Sequence, residues 1–485
     1  MFAAYGTETL IVALIVGAVS FLVGLWRPFV ALSALLLLLP FHEWSRRWML
    51  TSLQLSADQV NAISRWWMVM ALALLLAVAL RWLLKLPGSR PLPRLRWHDG
   101  LLALVIGVGM VSVLLSPNRS AGFAAFRNYF QPVVLFVLAR LIVPTEIQWR
   151  RFLWAWLAVG LVVAAFALWQ FGTWTEDDYY ARGYVRPNGE LVTPPVYFSD
   201  GSFRLRPSST VSGPNELGVQ MVLLFVASLQ WMVVSKGRGR WLLGLLSVVY
   251  LIGLAISYSR SALLGWIMAV VMLGLMALAA GRARLQQEIR RRKGLVIGAV
   301  AGILVLLTVI FVSTGMAARM IYTVRNLTSE YHFEDTTGAI EFLVRQPAGV
   351  GMGLVGPREG IFFPEQEAFH VEGSLFQIGM EMGVWGLALW LAYLGAVLWA
   401  TWRARQRTQH PLLRLTAGTA IAGWLGALVA FLFLPLMQAM VLMSWLWFLL
   451  GMGLECERIE EAWHKGQASS AAPSQVAASA GTPPA

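Results

Sequence analysis

Residues 241–280 read WLLGLLSVVYLIGLAIS, then Tyr258-Ser259-Arg260, then SALLGWIMAVVMLGLMALAA: apolar runs of 17 and 20 residues around a short polar turn. At about 1.5 Å of rise per residue, each run is long enough to cross a hydrocarbon core of about 30 Å. Gly294–Ser313 is a third run of the same kind. One such run could be a buried soluble helix; many in series could not.

Composition agrees. Of 485 residues, 58% are hydrophobic and only 13% charged, too little charge to cover a soluble chain of this length. The pattern predicts an all-α polytopic membrane protein with 12–13 transmembrane helices. The expected spans are 8–25, 28–41, 61–84, 100–115, 122–142, 149–171, 214–234, 240–257, 261–281, 294–313, 374–400, 411–433 and 436–454. The second is short enough to pair with the first as a re-entrant element, which gives twelve.

The net charge of +13 raises nucleic acid as a partner. Its distribution excludes it. Cations cluster between spans, with five in 81–96, three in 236–240, six in 282–293 and four in 403–414. The intervening spans put these clusters on one side, the cytoplasm by the positive-inside rule, where they meet anionic headgroups. Two long loops, 172–213 and 314–372, hold more acids than bases and fall on the opposite side.

Six blocks follow: N-terminal helices at 1–171, an external aromatic-rich loop at 172–213, and central helices at 214–313. Beyond them lie a large external loop at 314–373, C-terminal helices at 374–455, and a cytoplasmic tail at 456–485 expected to be disordered. The single cysteine, Cys456, precludes an internal disulfide framework. The first apolar run lacks a cationic segment before it and reads as a retained helix. No internal repeat of the kind found in many transporters is visible.

The loop 172–213 gathers Trp174, Tyr179, Tyr180, Tyr184, Tyr197 and Phe198. An interfacial aromatic belt is its first reading and a sugar-stacking surface its second. In the loop 314–372, Gly338–Arg345 reads as helical ahead of Gln346-Pro347.

Three segments at the loop side could carry chemistry. Arg204 and Arg206 precede Ser208-Ser209-Thr210 and Pro214-Asn215-Glu216 at a helix start, which suits an anion. The plainer reading is a cap by Ser212 or Asn215 with solvated arginines. Ser259-Arg260-Ser261 sets a cation between two apolar helices, where it must snorkel or pair. Finally, His370-Val371-Glu372-Gly373-Ser374 leads into Gln377 and Glu381. Glu381 lies two turns inside an apolar helix and should face the interior and find a donor.

Together these motifs resemble the O-antigen ligase and O-antigen polymerase superfamily of bacterial envelope glycosyltransferases. Arg206 through Thr210 to Pro214-Asn215 is similar to that family's arginine, hydroxyl and Pro-Asn pattern. Ser259-Arg260-Ser261 matches its Ser-Arg turn, and Pro347, Gly349, Gly351 and Gly353 its glycine run. Gln377, Glu381-Met382-Gly383 and Gly386 match its closing pattern. The likeness covers about residues 200–455 and lies in the order and spacing of motifs that are weak singly. One departure stands out. Where family ligases carry a His-Asn pair, this chain has Glu372-Gly373, with His370 two residues earlier.

The resemblance implies an architecture similar to other lipid-linked glycosyltransferases of GT-C type, in the bacterial inner membrane. It implies transfer of a glycan from a polyprenyl-diphosphate carrier to an acceptor hydroxyl, on a glycan or a lipid, at the non-cytoplasmic face. It also implies no cofactor. Arg206 and Arg260, helped by Arg204, would neutralise the leaving diphosphate, and His370 or Glu372 would take the acceptor proton. Asn215, Ser259, Gln377 and Glu381 would support them. No His-x-x-x-His or Asp-x-Asp pair suggests a metal site. A transporter or flippase of lipid-linked glycans is the alternative, and it should show related halves and ionisable groups at mid-membrane depth.

Overall fold

A computed structural model describes residues 7–87, 92–185, 191–193, 195–197, 203–279, 328–355 and 371–471. Among them, ten helical stretches are long and apolar enough to cross a bilayer, or eleven if a bent pair at 440–465 counts as one. The fold is all-α and polytopic. Twelve of the thirteen expected spans fall on its helices; the remaining one, 294–313, lies outside the described residues.

The first half comprises α1 (Thr7–Trp26), α2 (Pro28–Leu38), α3 (His42–Thr51), α4 (Ala57–Ile63), α5 (Trp66–Leu83) and α6 (Trp97–Leu115). It continues with α7 (Arg119–Phe130), α8 (Val133–Leu141), α9 (Glu146–Thr173) and the short α10 (Glu176–Ala181). A hairpin of β1 (Val196–Tyr197) and β2 (Phe203–Arg204) precedes α11 (Pro214–Val234), α12 (Arg238–Ile256) and α13 (Arg260–Ala279). After α14 (Thr328–Arg345) come α15 (Ser374–Arg407), α16 (Pro411–Phe431), α17 (Met440–Leu454) and α18 (Cys456–Ala471).

Two expectations need correction. The span set at 28–41 runs on through a turn at Pro40 into α3, giving 24 residues from Pro28 to Thr51. Beyond Pro40 the polar Glu43, Arg46 and Arg47 find partners within the protein. The tail from 456 is helical as far as Ala471. Its Cys456, Ile459, Ala462 and Trp463 are buried, and the Trp463 indole donates to the Pro144 carbonyl at 2.7 Å. Polar residues on its other face hide this amphipathic stripe from a reading by composition.

The centre is α17, buried at every residue from Val441 to Leu454. A helix apolar on all sides belongs inside a bundle. Trp445 stacks on Trp156 with centroids 4.6 Å apart, and Trp447 meets Trp424 edge-on at 5.0 Å. Of α11's apolar stretch 78% is buried, against 22% of α13's, so α11 is inner and α13 outer. α13 nevertheless crosses α16 closely, because Gly265 and Gly426 face each other. A Cβ on Gly265 would lie 2.4 Å from the Gly426 oxygen.

α15 breaks at Gly383, with φ 77° and ψ 170°. Backbone groups freed inside a bilayer need protein partners. The segment after Pro347 provides them. Val350 N–H donates to the Met380 carbonyl at 2.8 Å, Gly351 N–H to that of Glu381 at 3.2 Å, and Val384 N–H to that of Pro347 at 2.9 Å.

Candidate functional site

The site lies at the end of the bundle opposite the basic clusters, where the aromatic loop and the starts of α11, α13 and α15 come together. Arg206 is its hub. The side chain is buried at 8% exposure; Nε–H donates to the Ser257 carbonyl at 2.9 Å, and an Nη2–H to Asn215 Oδ1 at 2.6 Å. It thereby ties the segment before α11 to the turn before α13. Both carry a non-glycine residue with positive φ, Ser209 at 54° and Tyr258 at 51°. Such backbone is costly and persists only where its surroundings hold it.

Those surroundings are visible. Gln170 Oε1 accepts the Ser209 N–H at 2.7 Å, and the Ser209 hydroxyl donates to the Val163 carbonyl at 2.6 Å. The Tyr184 hydroxyl donates to the Ser209 carbonyl at 2.7 Å. Arg47, itself buried and 3.9 Å from the Tyr184 ring centroid, donates to the carbonyls of Val211 at 3.0 Å and Ser212 at 2.9 Å. Glu216 accepts from Ser212, from its hydroxyl and its N–H, so neither Ser212 nor Asn215 caps α11 by its own side chain. The expected alternative of a plain cap with solvated arginines does not describe Arg206.

Arg260 is half-buried at the first residue of α13, whose start Ser259 caps by accepting the Ala262 N–H at 3.3 Å. Gly218 of α11 leaves room for this turn: a Cβ there would lie 2.8 Å from the Ser257 hydroxyl oxygen. Glu372 is near enough for its charge to act on Arg260. The start of α15 is held against the end of α16, where the Ser374 hydroxyl donates to the Leu434 carbonyl at 2.7 Å and accepts from Met437 N–H at 3.0 Å. Residues far apart in sequence thus meet at one corner.

The other expected residues divide. Arg204 is exposed on β2, with its guanidinium 5.4 Å from the Phe171 ring centroid. Phe171 packs in turn on Tyr258 at 6.2 Å, so Arg204 flanks the same turn. It borders a cavity of about 340 Å³ with Gln170, Trp174 and Glu176. Gln377 and Glu381 stand deeper, buried against the glycine run. Gln377 donates to the Val355 carbonyl at 2.8 Å, and Glu381 Oε1 accepts from Gly353 N–H at 2.8 Å. Glu381 has the interior donor its position demanded, and it organises a loop. His370 and Phe198 lie outside the described residues.

The aromatic loop is a folded element. Tyr179 and Tyr184 are buried edge-on against Trp174, at 5.1 and 5.4 Å, so these two rings face neither headgroups nor sugar. Burial pushes both phenols above their ordinary pKa and keeps them neutral. Asp178, capping α10 through Thr175 and paired with Arg182, is held at about 2.

Arg47 and Gln170 are site residues the sequence reading missed, and Glu216, named there only as part of a helix start, holds Ser212. Arg47 carried a signal, since an arginine pair at 46–47 on the loop side violates the positive-inside rule as Arg260 does.

The chain matches no model of a known protein family and no curated protein. What its fold defines is a multi-pass helical membrane protein, with polar side chains from five helices gathered at one end.

Proposed function

We propose that this protein transfers a glycan from a polyprenyl-diphosphate carrier to an acceptor hydroxyl at the non-cytoplasmic face, as an envelope polysaccharide polymerase or ligase of GT-C-like architecture. The observation that carries the reading is the corner where Arg206 binds the turn leading to Arg260, with Glu372 near enough for its charge to act on Arg260. A cation and a carboxylate at the ends of apolar helices suit a substrate that is anionic at one atom and loses a proton at another.

The acceptor oxygen attacks the anomeric carbon, and the bond from that carbon to the phosphate oxygen breaks. The electron pair leaves with the diphosphate. Arg260 meets the charge developing there, with Arg204 on the flank of the turn. The acceptor proton passes to Glu372 or to His370. A single displacement inverts the anomeric centre. Arg206, which donates to Asn215 and Ser257, acts chiefly as a positioning residue that fixes the turn bearing Arg260.

Transport of the same lipid-linked glycan is the second reading, favoured by the broken helix α15, since discontinuous helices line many transport sites. Against it, the backbone groups freed at Gly383 bind the segment 347–351, which fills the break with protein.

The test is reconstitution in liposomes with a polyprenyl-diphosphate glycan, measuring release of polyprenyl diphosphate and growth or transfer of the glycan. Wild type should turn over and Arg260→Ala should not. Glycan crossing the bilayer without bond cleavage would replace the proposal with transport. Full activity in Arg260→Ala would remove the mechanism.

A further inference from the structure

At the opposite, basic end of the bundle lies a larger cavity, about 530 Å³, between α1, α2, α5 and α9. It plays no part in the site described above. Its rim carries three guanidinium groups from separate stretches of the chain: Arg27 between α1 and α2, Arg81 in the last turn of α5, and Arg151 in the second turn of α9. Arg81 is fixed by donation to the Leu25 carbonyl and to that of Pro87 at 2.7 Å, while Arg27 and Arg151 are exposed. Like charges gathered at one opening repel, and an anion between them relieves that repulsion.

Depth along the helices identifies the anion's attachment. Away from the arginines the lining turns apolar: Phe29 and Leu37 follow α2 inward, Val78 lies a turn inside Arg81, and Phe152 and Ala155 continue along α9. Trp26, 88% exposed, and Trp82, 45% exposed, stand at the mouth, at the headgroup level favoured by indole rings. The cavity is polar at its arginine end, apolar along the helices, and open rather than enclosed. A soluble phosphate would leave the apolar half unfilled.

We infer that this groove is a binding site for one anionic phospholipid of the leaflet at the basic end. The lipid phosphate sits among Arg27, Arg81 and Arg151, and an acyl chain lies along Val78, Leu37 and Phe152. Basic clefts between transmembrane helices suit anionic headgroups, and each cation near the surface strengthens the attraction about fivefold.

Native mass spectrometry of the full-length protein, released from mixed micelles of phosphatidylglycerol and phosphatidylcholine, tests the site. The wild-type protein should retain one phosphatidylglycerol with a preference of roughly 20-fold or more over phosphatidylcholine. The double variant Arg27→Gln/Arg151→Gln, which spares the fixed Arg81, should lose most of that preference. Its elution profile and thermal midpoint in phosphatidylcholine alone should match wild type. Phosphatidylglycerol should raise the wild-type midpoint, and inorganic phosphate at the same concentration should not. An equal preference in the double variant would reduce the effect to general lipid contact and overturn the site. Equal stabilisation by inorganic phosphate would assign the arginines to a free anion and overturn the lipid.

Discussion

Arg206 donates its Nε–H to the carbonyl of Ser257, fifty-one residues along the chain, at 2.9 Å. A second bond, to Asn215 at 2.6 Å, uses a terminal nitrogen of the same guanidinium. Lysine has no planar fork and cannot reproduce this pair. The buried Arg206 and the half-buried Arg260 therefore separate two roles that a contact inventory would merge.

For Arg206→Lys, thermal unfolding in detergent should show a loss of about 1–3 kcal/mol, the cost of leaving buried acceptors unsatisfied. Arg260→Lys should leave the midpoint close to wild type while glycan transfer falls about 10²-fold, as for loss of one group opposing the developing charge. A pair of variants equally stable and equally inactive would contradict the division.

Gly353 has φ 85°, and a Cβ there would lie 2.4 Å from the Ala121 carbonyl carbon. Backbone cannot be pushed aside like a flexible side chain. Gly353→Ala should be among the most damaging single substitutions, seen as loss of monodisperse protein on purification. Glu381→Gln keeps an oxygen for the Gly353 N–H and should fold. Glu381→Leu removes it and should cost about 1–3 kcal/mol. If Gly353→Ala purifies with an unchanged midpoint, the docking of this run against α7 is wrong.

The spans were legible because hydrophobic length reports the bilayer directly, and Trp241–Ser257 needs no neighbour to be read. Glu381 was legible for a similar reason, since a carboxylate in an apolar helix must find a donor inside the protein. Its donor was not, because a backbone N–H at Gly353 has no side chain to announce it. The role of Arg206 was hidden likewise, since its partner at Ser257 is a carbonyl that any residue would offer. The burial of Tyr179 and Tyr184 depends on tertiary packing with Trp174, and aromatic composition fits lipid, sugar or a small core equally well.

At the basic end, Arg140 joins three segments. Its Nε–H donates to Glu455 Oε1 at 2.9 Å and its terminal nitrogens to Asp99, while Arg458 donates to the second oxygen of Glu455 at 2.9 Å. Glu455 is 2% exposed. Arg140→Met would leave the buried Glu455 with Arg458 alone and the half-buried Asp99 with the Arg96 N–H, and breaking a buried pair from one side typically costs about 3–5 kcal/mol. The expected result is a large fall in midpoint for Arg140→Met and a smaller one when Asp99→Asn is combined with it. Strict additivity of the two substitutions would show that they do not share a network.

His410, in the link between α15 and α16, provides a pH test away from the catalytic proposal. Its ring stands edge-on to Trp463 at 4.8 Å, and its Nε2 lies 3.5 Å from Glu146. Burial lowers its pKa below the ordinary 6.5 and outweighs the opposing pull of Glu146. A folded-state pKa below the unfolded value means that the unfolded chain takes up the proton first. The contribution to stability is then complete above 6.5 and is lost as pH falls through the folded pKa. Lowering the pH below this value should loosen the packing of α18 on the bundle. The wild-type midpoint minus that of His410→Gln should therefore be flat in mildly alkaline buffer and fall on acidification. Subtraction removes the carboxylates common to both proteins. Curves that stay parallel through this window would mean that protonating the imidazole costs the folded state nothing, and the packed ring against Trp463 would have to be more open to water than its surroundings indicate.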